Sequence, residues 1–295
     1  MQCYKLLPPI GVYKQLSANS YERDTKKEFP YFQTINSVER YLACCPGCSN
    51  TIQIVNLYND KKVEADQRVQ RMHARHYKAL AQGFPIFDQA AYDECPFSNP
   101  LSFSGQSKKS KGAGDNELLS ILLDHTETVL AFMRNVTGVK ISENLFERML
   151  GKFIDSDGIN FRHVNKFNLP YSFLYMSGNQ SVNFQFLNSS DSICLESDIN
   201  KKSKYFSVQN GQIKKKDQSS HAQIRMYFTD HKSVLRHDEV IQKMTMVLHE
   251  ELSGTENTIT EKTIEFDSSY FFNTISKHQR LRASAKEKYG KKAFD

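Results

Sequence analysis

The sequence predicts an α+β fold: an N-terminal module built around a thiol-rich turn, then a helix pair, an antiparallel sheet and C-terminal helices. Three observations carry this expectation. Cys45-Pro46-Gly47-Cys48 stands between two runs that read as strands, Arg40 to Cys44 and Thr51 to Tyr58. Apolar residues recur at helical spacing from Leu118 to Val136 and again from Leu145 to Phe153. From Asn160 to about Val234 the period changes to two, in short β-branched and aromatic runs.

Residues 1 to 39 read as irregular, with Phe29-Pro30-Tyr31-Phe32 as an aromatic clip onto a core. Val63 to Leu80 is rich in Gln, Arg, Ala and Glu and contains no Pro or Gly, so it predicts a helix carrying His73 and His76, stopped by Gly83-Phe84-Pro85. Ser102 to Asn116 is polar, Gly-containing and without an apolar anchor after Phe103, which predicts a linker. The expected organisation is a module over 1–103, a linker over 104–115 and an α+β domain over 116–295.

In that domain Asp115 caps a helix that runs through Leu118, Leu122, His125, Val129, Phe132 and Val136 to Gly138. Ser142 caps a second helix, with Leu145, Phe146, Met149, Leu150 and Phe153 on one face, and the two form a hairpin. Strands are expected at Tyr171 to Met176, Val182 to Leu187, Ile193 to Ile199, Tyr205 to Val208 and Ala222 to Phe228, joined as an antiparallel meander. Gln209-Asn210-Gly211-Gln212 is a hairpin turn signal. Asp238 caps a helix carrying Val240, Ile241, Met244, Val247 and Leu248, with Gly254 just past its end, and a last helix runs from about Ser269 to Tyr289.

The longest apolar segment, Leu118 to Met133, is interrupted by Asp124, His125 and Glu127, so no bilayer span is expected. The N-terminus lacks the features of a secretory signal, and the chain is expected to be cytoplasmic. Its six cysteines are Cys3, Cys44, Cys45, Cys48, Cys95 and Cys194; in a reducing compartment such thiols are free or metal-bound. The net charge of +6 is segregated: Lys201 to Lys216 holds six Lys and no acid, and Lys277 to Asp295 holds seven Lys/Arg against two acids. Basic patches of this kind meet phosphates. The candidate nucleic-acid contacts are Lys214, Lys215, Lys216, Lys286, Lys288, Lys291 and Lys292, with Tyr205, Phe206, Tyr227 and Phe228 as aromatics that could stack on bases.

Two thiols two residues apart in a tight turn can face one ion, and zinc favours thiolate and imidazole in tetrahedral geometry. The expected ligands are Cys45, Cys48, His76 and Cys95, with His73 in reserve because residues three apart on a helix share a face. Cys44 points to the opposite face of its strand from Cys45 and is left out. The module is therefore read as zinc-stabilised. Residues 41 to 100 also resemble an uncharacterised bacterial zinc-knuckle domain type. Cys45-Pro46-Gly47-Cys48, the strand Ile52 to Tyr58, His76-Tyr77 and Tyr92 to Pro96 carry the likeness over about a fifth of the chain. The resemblance implies zinc and no activity.

Other patterns fail. His249-Glu250-Glu251 needs a His at position 253 to make a zinc-protease helix, and that residue is Ser253. Asp155-Ser156-Asp157-Gly158 lacks the terminal Glu of a calcium loop, since Val164 stands there. The expected function is a zinc-containing binding protein that engages nucleic acid or acts within a nucleic-acid-processing system. One alternative is a protein-interaction subunit whose basic tail meets an acidic partner. The other is a metal-dependent nuclease using Asp191, Glu196 and Asp198 on strands beside Lys201 and Lys202.

Overall fold

The structure, a computed structural model, describes residues 1–8, 13–58, 61–63, 68–70, 72–109, 115–188, 195–236 and 239–289. They mix helix with antiparallel sheet, and the chain divides into two compact units. The first takes Met1–Pro100, Ser233–Ile241 and Asp267–Asp295; the second takes Leu101–Lys232 and Gln242–Phe266. The segment 116–295, expected as one domain, thus contributes to both.

The first unit begins with β1 (Cys3–Lys5), β2 (Tyr13–Gln15), α1 (Ala18–Thr25), β3 (Phe32–Ile35), β4 (Val38–Cys44) and β5 (Thr51–Val55). The two-stranded pair β6 (Lys61–Val63) and β7 (Arg68–Gln70) follows, then β8 (His73–His76) and α2 (Gln89–Asp93). The main sheet runs β2-β1-β4-β5-β8, with β3 paired to β4. Alternation along β4 divides the apolar residues between its two faces. Ala43 joins Cys45, Ile52, Ile54 and Ala74 in one core, while Leu42 and Cys44 join Ala81 and Phe84 in another. The buried Tyr21 of α1 ties that helix to the sheet, its hydroxyl reaching the Leu42 carbonyl at 2.8 Å.

The helix expected over Val63 to Leu80 is absent among the described residues of that range, 64–67 and 71 lying outside them. His73 to His76 is a strand, paired antiparallel to β5 with Ile52 opposite His76 and Val55 opposite His73. Cross-strand pairing and burial of Ala74 override the local helix propensity of this Arg- and Gln-rich run.

The second unit starts with α3 (Asp115–Asp124), α4 (Thr126–Thr137), β9 (Val139–Lys140), α5 (Glu143–Asp155) and α6 (Leu169–Met176). The single helix expected from Leu118 to Val136 is broken at His125, whose backbone leaves helical geometry at φ −128°. Ser142 caps α5 as expected, its hydroxyl accepting the Leu145 N–H. Leu122, Met133, Met149, Phe153 and Phe173 are fully buried among these helices. Ser107 to Lys109, within the expected linker, hydrogen-bonds through its backbone to Asn160 and Arg162; residues 110–114 of that linker lie outside the described residues.

The remaining elements are β10 (Gln180–Ser181), β11 (Phe186–Leu187), α7 (Leu195–Lys202), β12 (Phe206–Gln209), β13 (Gln212–Lys215), β14 (Gln223–Arg236), β15 (Glu239–Leu252), β16 (Thr255–Glu265) and α8 (Ser268–Tyr289). Two sheets result, β10-β14-β15-β16 and β12-β13-β11-β9. Asn210 (φ 52°) and Gly211 (φ 74°) make the expected tight hairpin between β12 and β13.

Four expected elements differ. Of Val182 to Leu187 only Phe186–Leu187 is strand, because Asn183 and Phe184 form a turn with Phe184 at φ 64°. Tyr171 to Met176 is helix, not strand: Leu169 to Leu174 are all buried, which erases the helical stripe, and Pro170 sits in the first turn where its missing N–H is harmless. Of the strand expected over Ile193 to Ile199, residues 193–194 lie outside the described residues and the rest is helix: α7 starts at Leu195, buries Leu195 and Ile199 one turn apart, and places acids at its start and lysines at its end. Asp238 lies outside the described residues, and Val240 to Leu248 is strand, with Gln242, Met244 and Met246 buried on alternate positions. Ser253 (φ 51°) and Gly254 (φ 78°) form a two-residue hairpin turn into β16 rather than a helix end.

Glu250 on β15 is wholly buried in the second unit. Its carboxylate accepts the Ser203 hydroxyl at 2.5 Å, the Lys204 N–H at 2.8 Å, the Tyr205 N–H at 3.2 Å and the Asn257 amide at 2.8 Å. Burial pushes this carboxyl up, but the donors outweigh it and hold it below the usual glutamate range.

Candidate metal centre

The knuckle follows from how β4 hands over to β5. Cys44 pairs with Thr51, and the chain between them closes on itself: Cys45 N–H donates to the Asn50 carbonyl at 2.8 Å and Ser49 N–H to the Cys45 carbonyl at 2.9 Å. This turn carries Cys45 and Cys48 toward the core that holds Ala43 and Ile52. Opposite Ile52 on the edge strand, His76 presents its ring to the same side. Cys95 comes from the chain just after α2, whose start is capped by the Asp88 carboxylate accepting the Ala91 N–H.

The four ligand atoms lie within 4.8 Å of one another, close enough to hold one metal ion, and they form the one such group among the described residues. Cys45 Sγ is 3.6 Å from Cys95 Sγ, Cys48 Sγ is 3.3 Å from His76 Nε2, and Cys95 Sγ is 3.7 Å from that same nitrogen. Cys45 and Cys95 are buried and Cys48 and His76 half-buried. Comparison with family models, curated proteins and solved structures finds no match for this chain.

The electrostatics explain why the cluster suits a cation. Burial pushes the Cys45 thiol up. Cys48, receiving S–H donation from Cys45 and Cys95, is held well below the ordinary thiol range. Burial and close approach thus oppose deprotonating all three thiols together, and a cation among them would relieve that opposition.

Outer contacts were not foreseen from sequence. Asn50, 2 % exposed, donates to Cys48 Sγ at 3.5 Å and clasps the Asp88 backbone, donating to its carbonyl at 2.8 Å and accepting its N–H at 2.7 Å. It locks the knuckle to the loop that delivers Cys95, the role of a residue that orients ligands. A Cβ at Gly47 would stand 3.0 Å from Cys95 Sγ and 3.0 Å from Pro96 Cδ, so the close approach of Cys95 explains the glycine. The only signals were the Asn two residues after Cys48 and the Asp before Gln89.

His73, the reserve ligand, lies outside the group: three residues from His76 on a strand means the opposite face. Cys44 also points away, into the core with Leu42, and burial pushes its thiol up to about 11.

The candidate nucleic-acid lysines divide between the units. Lys214 and Lys215 are on β13 opposite Ser207 and Phe206. Lys215 Nζ donates to the Ser220 carbonyl at 2.5 Å and Lys216 Nζ to the Ser203 carbonyl at 2.7 Å, so both tie down local backbone. Lys286 and Lys288 are on α8, Lys286 exposed; Lys291 and Lys292 lie outside the described residues. Of the aromatics, Phe206 and Phe228 are core residues.

The acids expected to form a nuclease site on strands do not do so. Glu196 and Asp198 sit on α7, where Asp198 pairs with Lys202 at 3.4 Å and Lys262 at 3.7 Å; Asp191 lies outside the described residues. Among the described residues no helix is long and apolar enough to cross a membrane.

Proposed function

We propose that the chain is a zinc-containing binding protein in which the ion holds the first unit together and exposed cations engage nucleic acid. The observation that carries the reading is the closed set of three thiols and one imidazole. Soft thiolates with one histidine select zinc, and four protein ligands leave no open position for a reacting water, the pattern of a structural site. Tetrahedral zinc, with Zn–S near ~2.3 Å, sets S···S edges of roughly 3.8 Å. The 3.6 Å between Cys45 and Cys95 suits that figure.

The nucleic-acid part rests on charge. Within α8, Lys277, Arg280, Arg282 and Lys286 are exposed, and Glu287 is its one acid. Metal analysis of protein purified without chelator should return one zinc per chain. Binding to single strands should weaken with salt at a log–log slope of about −0.7 per phosphate contact. Replacing Lys277, Arg280, Arg282 and Lys286 with Ser should flatten that slope. Wild-type protein that binds neither duplex nor single strand at low salt would turn the basic surface over to an acidic protein partner. Cleavage that requires magnesium or manganese would favour the nuclease.

A further inference from the structure

A pocket of about 690 Å³ opens on the first unit beside the metal corner, and all of its lining residues belong to that unit. One sheet face supplies its charged wall. Arg40 stands on β4; Gln53 on β5 pairs directly with Arg75 on β8, and Tyr77 lies two residues further on. Lys78 and Tyr92 complete the rim next to His76. Among the described residues that line the pocket there is no Asp or Glu.

Arg40 and Lys78 are held by rings and an amide. The Arg40 guanidinium carbon lies 5.1 Å from the Tyr77 ring centroid, and its Nη1 donates to Gln53 Oε1 at 2.9 Å. Its Nε is shielded from solvent and, among the described residues, meets no acceptor. The Lys78 ammonium lies 4.4 Å from the Tyr92 centroid. A ring quadrupole orients a cation without cancelling its charge, so the pocket keeps a positive field in a recess where water screens it less.

We propose that this pocket binds a nucleoside phosphate, either a free nucleotide or one residue of a single strand. A forked guanidinium matches two phosphate oxygens, and the Lys78 ammonium on the rim of the same pocket adds a second positive charge. The volume, within the ~300–1,000 Å³ of small-molecule sites, exceeds what a bare phosphate fills. Aromatic walls and the amides of Gln53 and Asn99 suit a base, offering apolar surface together with donor and acceptor atoms. The single-strand form rests on the nucleic-acid reading above; the free-nucleotide form does not.

The test is calorimetric titration of the full-length chain with inorganic phosphate, adenosine 5′-monophosphate and an eight-residue oligodeoxyadenylate. The monophosphate should bind at least tenfold more tightly than phosphate. Arg40→Gln and Lys78→Gln should each weaken it tenfold or more, and Arg40→Lys, which keeps the charge but loses the fork, about threefold. Lys78 is exposed, so its variant remains informative should Arg40→Gln fail to fold. If the oligonucleotide alone binds, and does so tenfold more weakly in both variants, the natural ligand is a strand residue. Nucleotide binding without strand binding keeps the pocket and removes the nucleic-acid reading. Strand binding indifferent to both substitutions, with no response to monophosphate, overturns the pocket and leaves that reading standing. No heat with any probe overturns both.

Discussion

The metal corner of the first unit and the Glu250 site of the second bury polar groups in opposite ways. Glu250 has four donors drawn from its own unit, and a single negative charge is fully answered. Cys45, Cys48 and Cys95 stand so close that three thiolates would repel one another. The Glu250 arrangement is complete as folded, whereas the thiol cluster is one that a cation would complete. A buried polar cluster therefore points to a ligand when its members are mutually incompatible, and not simply because it is buried.

The largest expected effect breaks the comparison on the metal side. Structural zinc supplies folding free energy directly, ~10–16 kcal/mol in finger peptides, so Cys48→Ala or a strong chelator should expose the amides of β4 and β5 to hydrogen exchange. Those of α5 and α6 should stay protected. Protection of β4 that survives both treatments would show that the four ligands do not hold the unit together. Cys44→Ala, which removes a buried thiol outside the cluster, should cost only about 1–2 kcal/mol and leave metal content unchanged.

Next is Glu250→Gln, which keeps the shape but replaces one acceptor oxygen with a donor. At least one buried N–H or hydroxyl then loses its partner, at about 2–4 kcal/mol. The urea midpoint of the second unit should fall, with metal content and β4 protection unchanged. A midpoint equal to wild type would mean the four donors find other acceptors.

A pH-dependent effect sharpens the comparison with a third kind of buried group. His163, 4 % exposed and packed against Phe103 and Phe161, is pushed down to about 4 by burial and by the nearby His231 and Lys109 charges. Because its folded pKa lies below its unfolded one, the folded state favours the neutral ring. Its contribution is therefore fully present above about pH 6.5 and is lost as pH falls toward 4, up to on the order of 2–3 kcal/mol. His231 shifts in the same direction through burial; its Nδ1 accepts the Phe103 N–H at 3.2 Å, which leaves Nε2–H to donate to Gln242. His163→Phe should flatten the fall of the urea midpoint between pH 6.5 and 4. An unchanged slope would assign that fall to other groups.

What the sequence made legible was what short-range chemistry specifies. The Cys-Pro-Gly-Cys turn, the Ser142 cap, the Asn-Gly hairpin and the amphipathic α5 each depend on residues within a turn of one another. The grouping of Cys45, Cys48, His76 and Cys95 was legible too, although His76 arrives on a strand rather than a helix, because the edge position that aims its ring is set by pairing with β5. Misread segments were those whose pattern fits two periods or none. Val240, Ile241, Met244, Val247 and Leu248 suit a helix as well as a strand, and only neighbours on both sides decide for β15. A fully buried α6 has no stripe to read. Arg40, Gln53 and Lys78 left no signal, since a pocket wall is assembled from strands distant in sequence.

The first unit draws on the beginning, the middle and the far end of the chain. During synthesis its sheet strands and all four thiol and imidazole ligands emerge within the first hundred residues, while α8, which buries Phe271 and Ile275, emerges last. The metal corner can thus set early, from contacts local in sequence, whereas final closure waits for a loop of well over a hundred residues to be bridged. Such bridging is slow, though its entropic penalty grows only logarithmically with length. An ion captured at the outset would act as a clamp, holding a half-built unit in register until its last helix arrives.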